Sequence, residues 1–501
     1  MRRVGIVGAL AGVGLCVVVA CSSSNDAASS ITPEIDAGTD APSAPPADDG
    51  GADAGGDAGG IQHAGTRIRL HGVQTSEGAF VYGEPFDSKL GTVCFPVRTE
   101  DGVLRCVPQA DASIAGFSDP GCTTPIASRT KGACGTLTFA TRYISSDTDP
   151  CDTRFATYRI GPAMDIPKIY LSAGGACTGY DPSPDQSYYP VLGAVAPTDL
   201  VTFTESIVPL SSEIGAYVLD GDDGSRIQRD YFTDVKRGKA CEANLGSDDQ
   251  VHCTPRSKAT TGGFSDPACA TSAADPRECV VAYETFDDST ALRYGASKCG
   301  QNKVRAYPLA AKRASRAEFT SDGDGGCTGP VDSPRDVYDI GPEIAASTLP
   351  ALVPATAGGP RIVQGTLVTG TVIAKYDPFR LADSTLGNAC HFSTAADGKL
   401  RCLPDGPGAF LYADDKCTVQ LAVQTEDCAP VKYLLRLDKA ACATTHVHVP
   451  GTKLAAATPT FSLASNGIDC LPVGGSNSIA FYTFGAELPA GTFEEGTVVT
   501  R

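Results

Sequence analysis

Twenty cysteines punctuate this 501-residue chain, and eighteen of them keep a threefold register. The first set is Cys94, Cys106, Cys122, Cys134, Cys151 and Cys177. The second is Cys241, Cys253, Cys269, Cys279, Cys299 and Cys327. The third is Cys390, Cys402, Cys417, Cys428, Cys442 and Cys470. Successive gaps are 12, 16, 12, 17 and 26, then 12, 16, 10, 20 and 28, then 12, 15, 11, 14 and 28. The opening cysteines of the sets lie 147 and 149 residues apart. Self-similarity at a fixed period is the mark of a repeat architecture, so the chain builds one unit of about 147 residues three times.

Other positions share the register. Asp87, Asp234 and Asp383 stand seven residues before the first cysteine of each set, and Gly91, Gly238 and Gly387 three before it. The second cysteine follows Asp101-Gly102, Asp248-Asp249 or Asp397-Gly398 and is followed by Pro108, Pro255 or Pro404. The third cysteine follows Phe117-Ser118-Asp119, Phe264-Ser265-Asp266 or Tyr412-Ala413-Asp414 by three residues. A weaker echo of that motif recurs from Tyr170 to Cys177, Phe319 to Cys327 and Phe461 to Cys470.

Local patterns read as short strands. Asp-Gly at 101–102 is a hairpin turn signal, because glycine tolerates the positive φ such turns require. Pro108 cannot donate to a ladder, so a strand ends there. Leu137–Tyr143 and Val431–Arg436 alternate as half-buried strands do. No long run carries a 3.6-residue period, so the fold class is all-β. Reading the echo as half-repeats divides residues 65–501 into six units, which suits a six-bladed β-propeller; three tandem β-domains are the alternative. The repeats span 65–208, 209–356 and 357–501.

Cysteine at this density implies disulfides and an oxidising compartment. The constant gap of twelve places first and second cysteine on one hairpin, as in Cys94–Cys106. Third with fourth and fifth with sixth is the simplest completion, one of the pairings six cysteines allow. Zinc is disfavoured because paired C-x₂-C spacing is absent.

The N-terminus reads as a targeting segment. Arg2-Arg3 precede an apolar run, Val4–Ala20, that is short for a membrane span and fits an export signal over residues 1–20. The sequence Val18-Val19-Ala20-Cys21 resembles a bacterial lipobox, with Val18 where leucine is commoner. By that resemblance Cys21 is lipidated and anchors the chain in a membrane; an ordinary secretory signal is the alternative. Ser22 after it resembles the outer-membrane sorting pattern, on the periplasmic or the surface face. Residues 21–64 then form a disordered tether whose Asp/Ala/Gly composition cannot offset its ordering entropy.

The whole chain resembles the uncharacterised cysteine-rich repeat lipoproteins of myxobacteria. The lipobox, the acidic tether and the pattern from Asp101 to Cys122 carry the resemblance, which implies location and style of fold. His252 departs from it, standing where Arg105 and Arg401 stand.

Chemistry is sparse. A net charge of −18 argues against nucleic acid as a partner, since phosphates need a basic footprint. His446-Val447-His448 puts two imidazoles on one strand face, a weak metal pair without an evident third ligand. The acidic turns Asp220–Gly224 and Asp322–Gly325 fail the EF-hand pattern. No nucleophile elbow, phosphate loop or dinucleotide fingerprint occurs, and no cofactor is expected. The absence of tryptophan weighs mildly against a stacking-based sugar site. The expected function is a non-catalytic binding or structural module for a protein or glycan ligand; a propeller-type hydrolase or lyase is the alternative.

Overall fold

The computed structural model describes residues 61–501 except 111, 134–136, 146–152, 174, 258, 265–266, 270–271, 277–288, 296–301, 322–326, 333–335, 370–371, 426–429, 439–443, 456–457, 464–468 and 474–478. Among the described residues the regular elements are strands and three 3₁₀ turns, Pro197–Asp199, Ala346–Thr348 and Ala490–Thr492. The strands of the first repeat are β1 (Ile68–Thr75), β2 (Phe80–Asp87), β3 (Thr92–Arg98), β4 (Leu104–Pro108), β5 (Ala112–Phe117), β6 (Pro125–Thr130), β7 (Phe139–Ser145), β8 (Thr153–Ile160), β9 (Ile169–Ala173), β10 (Ala176–Tyr180) and β11 (Gln186–Ala194). Later strands are named here by their residues.

The strands sort into three five-stranded and three seven-stranded sheets. Each five-stranded sheet is an antiparallel meander. The second runs Phe203–Pro209, Ile214–Gly221, Arg226–Asp234, Lys239–Leu245 and Val251–Pro255. The third runs Val353–Gly358, Ile362–Thr369, Val372–Asp383, Asn388–Thr394 and Leu400–Pro404. The first sheet takes its opening strand from the other end of the chain, where Gly496–Thr500 pairs with β1 and β2–β4 follow. Phe203–Pro209 and Val353–Gly358 straddle the sequence boundaries at 208/209 and 356/357 and pair forward into the next repeat.

These sheets join edge to edge. The amide of Cys106 donates to Val201 O (3.0 Å), that of Cys253 to Pro350 O (2.9 Å) and that of Cys402 to Glu494 O (2.9 Å). Single bridges Arg105↔Thr202, His252↔Ala351 and Arg401↔Glu495 carry the pairing into the next opening strand. The hydrogen-bonded circuit is therefore continuous and returns on itself. The sheets also bury one another in pairs. Ile68, Cys94 and Cys106 pack with Phe203, Leu219 and Ile227. Val73 and Val81 pack with Ile362, Leu381 and Phe392. Ile214, Phe232, Cys241 and Cys253 pack with Leu352 and Leu367. Three sheets that share three mutual cores form a triangular centre.

Each seven-stranded sheet hangs from one hairpin of that centre. In the first repeat the order β5-β6-β11-β8-β7 closes through a parallel β5–β7 pairing, Ala112↔Ala140 and Ser113↔Thr141, into a small barrel. Five strands leave little interior room, and Ala112, Ala127 and Ala140 fill it with Ile160. Val107, Phe139, Val195 and Leu200 seal the barrel to the centre. The hairpin β9–β10 projects from β5. Its counterparts are Ala317–Ser321 with Cys327–Asp332, and Thr460–Leu463 with Cys470–Val473.

The all-β, disulfide-rich class stands, but a six-bladed propeller does not. Propeller blades repeat one four-stranded unit, whereas here unlike five- and seven-stranded sheets alternate. The echo within each repeat has another cause: its two copies are strand partners. Phe117 pairs with Tyr170, Phe264 with Phe319 and Tyr412 with Phe461. The expected pairing of third with fourth cysteine is overturned by the same contact. First and second cysteines bridge as read, in Cys94–Cys106, Cys241–Cys253 and Cys390–Cys402. The third bonds the sixth, in Cys122–Cys177, Cys269–Cys327 and Cys417–Cys470. Cys134, Cys151, Cys279, Cys299, Cys428 and Cys442 lie outside the described residues.

Ring closure carries a prediction. Deleting residues 496–501 strips β1 of its partner and uncovers Val73 and Phe392, which both lie against Gly496. Urea unfolding of the truncated chain should begin at lower denaturant and lose its single cooperative step, with early hydrogen exchange in β1. An unchanged unfolding curve would show that the circuit does not depend on its last strand.

Candidate functional site

The recurring acids are used by the fold. Asp87 is fully buried at the turn from β2 to β3. Its carboxylate accepts from the amides of Lys89 (3.0 Å) and Leu90 (3.1 Å) and from Arg67 Nε (2.8 Å) and Nη2 (2.6 Å). Asp383 takes the same contacts from Thr385, Leu386 and Arg361. Gly91, Gly238 and Gly387 complete these turns at φ 68°, 61° and 58°, the left-handed region that favours glycine. The arginines also reach the 3₁₀ turns: Arg67 donates to Asp199 O and Arg361 to Thr492 O, both at 2.7 Å. In the second repeat Glu213 stands where those arginines stand. Arg237 takes over, pairing with Asp234 (2.6 Å) and reaching Thr348 O (3.4 Å), while Lys236 binds Glu213.

The acid at each hairpin turn pairs with the basic residue four positions on. Arg105 binds Asp101 at 2.6 Å, and its guanidinium holds that carboxyl well below the usual carboxylate range. Arg401 does the same to Asp397 and reaches Phe493 O (2.8 Å) and Glu495. His252, the departure noted in the sequence, makes the equivalent contacts: Nε2 faces Asp248 (3.0 Å) and Nδ1 faces Leu349 O (3.3 Å).

The acid three residues before the third cysteine is a turn acceptor. Asp119 receives the amides of Gly121 (3.0 Å), Thr123 (3.1 Å) and Thr124 (2.6 Å), and Asp414 those of Thr418 and Val419 (2.8 Å each). The amide of Thr124 first, and the hydroxyl of Thr418 first, hold these carboxyls below their ordinary values. The turns deliver Cys122, Cys269 and Cys417 at φ 52°, 50° and 52° to their disulfides. Asp266 lies outside the described residues.

The unique candidates resolve as follows. His446 Nδ1 faces Glu487 at 2.7 Å, and His448 Nδ1 faces Gly485 O at 3.1 Å. Among the described residues no group of three His, Cys, Asp or Glu side chains could hold a metal. Asp220 binds Arg226 (2.6 Å). Asp223 receives the amides of Arg67 (3.0 Å) and Ile68 (2.6 Å) and so docks the second repeat on the start of the first. Burial raises the Asp223 carboxyl, but Ser225 and these amides outweigh it and hold the group low. Asp322–Gly325 and Cys21 lie outside the described residues.

One concave feature has no sequence motif. It is a cleft of about 320 Å³ on the first repeat, lined by Lys131, Met164, Asp165, Ile166, Pro182 and Tyr188 among others. The segment joining β8 to β9, residues 161–168, walls it. That segment is tied down by Met164 N to Tyr188 O (2.9 Å), and Ser183 N donates to Tyr188 Oη (2.9 Å). The lining pairs apolar side chains with exposed Lys131 and Asp165, a mixture that suits a peptide side chain or small polar ligand. No length signal marks it in the sequence: from Thr157, Ala306 and Val447, which accept from the amides of Val195, Ile344 and Leu488, the chain reaches Tyr170, Phe319 and Phe461 in 13, 13 and 14 residues.

The fold and site together define a disulfide-stapled all-β repeat protein with a cleft on its first repeat. The chain belongs to a family of unknown function (DUF7481), whose model matches residues 51–493. No curated protein and no solved structure matches it.

Two outcomes follow from these contacts. Arg361→Ala leaves the fully buried Asp383 without its cation, and breaking such a pair from one side costs on the order of 3–5 kcal/mol. Chemical denaturation should show that loss, with Arg361→Lys falling between; a change within error would remove the clamp from the account. The depressed carboxyls of Asp101, Asp119, Asp397 and Asp414 set the acid limit. Folded values below unfolded ones mean stability fully present above about pH 4 and lost as pH falls through the folded values. Melting temperatures measured between pH 2 and 7 should plateau above about pH 5 and fall steeply below about 4, less steeply in Asp119→Asn.

Proposed function

We propose that the protein is a lipid-anchored lipoprotein of the outer membrane, held outside the cytoplasm, where it acts as a non-catalytic binding or structural module. The described disulfides support an oxidising compartment. The lipobox ending at Cys21 and the resemblance to myxobacterial lipoproteins support the anchor. Several acyl chains hold a protein stably where one is marginal. The observation that carries the non-catalytic reading is the use made of the recurring charges: the described copies are bound within turns and sheet junctions rather than gathered in a concave site. Catalysis needs ionisable groups converging where a substrate can sit.

Metabolic labelling with a fatty acid tests the anchor. The wild-type chain should take up label and sediment with outer membrane, whereas Cys21→Ser should take up none and appear in the soluble fraction. Label retained by Cys21→Ser would end the reading. Protease shaving of intact cells then assigns the face, since release without permeabilisation requires surface display.

A further inference from the structure

The hairpins projecting from the three seven-stranded sheets end in strands that, among the described residues, have one unpaired side: β10, Cys327–Asp332 and Cys470–Val473. A free strand edge presents main-chain donors and acceptors that another chain can pair with, and proline is a common guard against this. Tyr170, Phe319 and Phe461 fix a common register, because each pairs with the matching barrel strand. Opposite Phe461 stands Pro472. Opposite Phe319 the strand bulges through Gly329 and Pro330. Opposite Tyr170 stands Gly179. Pro472 keeps its place in the ladder without an N–H, so the donor of this position points away from the neighbouring strand. The third hairpin lacks that donor and the second is bulged across the position, whereas the first keeps it in regular register, and β10 is exposed along its length except for half-buried Cys177.

The same hairpin is the one beside the cleft. Pro182, two residues beyond the end of β10, and Ile166, three before the start of β9, both line it. Leu171 and Tyr180 share one face of the hairpin and are 42% and 50% exposed. The disulfide Cys122–Cys177 holds β10 against the barrel, so the edge is rigid before anything binds.

We infer that β10 and the cleft form a binding site for an extended segment of a partner protein, which adds as a strand to the free edge of β10 and seats a side chain in the cleft. Main-chain bonds supply affinity in this mode and side-chain pockets supply specificity. A second copy pairing β10 with β10 would leave the cleft unused, whereas an entering segment longer than β10 reaches it. The inference rests on the binding-module reading and specifies its partner.

The test uses the full-length chain in detergent and a displayed library of random short linear peptides, counter-selected against Gly179→Pro. That substitution installs what the third repeat carries at Pro472. Enriched peptides should bind Gly179→Pro about tenfold more weakly, the worth of one main-chain hydrogen bond. A Cβ at Gly179 would come 2.9 Å from Tyr170 Cε1, so a second readout leaves the protein unaltered. N-methylation of the bound peptide at alternate residues should weaken binding about tenfold, and methylation of the intervening residues should not. Failure to enrich any peptide overturns the inference, as does binding insensitive to the alternating pattern of methylation. A dimer that Gly179→Pro converts to monomer also overturns it, by making a second copy the occupant. Fatty-acid labelling and shaving do not depend on this edge, so failure here is distinguishable from failure of the envelope reading.

Discussion

The amides of Cys106, Cys253 and Cys402 each donate to a carbonyl of the segment leaving the same repeat. Everything else in the centre depends on that one repeated bond. It turns the last strand of one sheet toward the first strand of the next, and after three repetitions the circuit returns to β1 through Gly496–Thr500. A closed circuit has no edges to guard. It also explains why the first and second cysteines are bridged so close to this point. The disulfide stiffens the hairpin whose outer strand must present its amide, and Cys94 and Cys106 lie in the core shared with the next sheet.

Closure constrains charge as well as backbone. Each buried acid at 87, 234 and 383 needs a cation, and a lone buried charge would be costly. The second repeat lost the arginine of the first strand to Glu213 and regained a cation at Arg237 on the other side of the turn. His252 replaces an arginine in the neighbouring junction yet contacts the same two kinds of acceptor. Different side chains meet one demand because the demand comes from the backbone geometry of the turn and the junction, which all three repeats share.

That distinction explains what was legible in the sequence. The repeat, the strand class, the hairpin turns and the Cys94–Cys106 type of bridge follow from local spacing, and local spacing is what a sequence displays. The third-to-sixth bridges do not, because Cys122 and Cys177 are brought together by β9 docking on β5 across 55 residues. The resemblance between the Phe117 and Tyr170 segments was visible, but similarity alone cannot separate two copies of a unit from two partners in a ladder. Nor did the spacing of cysteines betray that Gly496–Thr500 belongs with the start of the chain. The cleft was not legible, since neither a motif nor a difference in length between repeats marks it.

Threefold symmetry makes the exceptions informative. A position alike in all repeats answers to the ring, so function must come from what one repeat does differently. Where the first projecting edge carries Gly179 in regular register, the third carries Pro472 and the second a bulge of Gly329 and Pro330. The cleft walled by residues 161–168 lies beside that same edge. A free edge alone, or a cleft alone, would be ordinary on the surface of a β-protein. Their meeting on one hairpin sets a regular, unguarded strand edge beside a cavity.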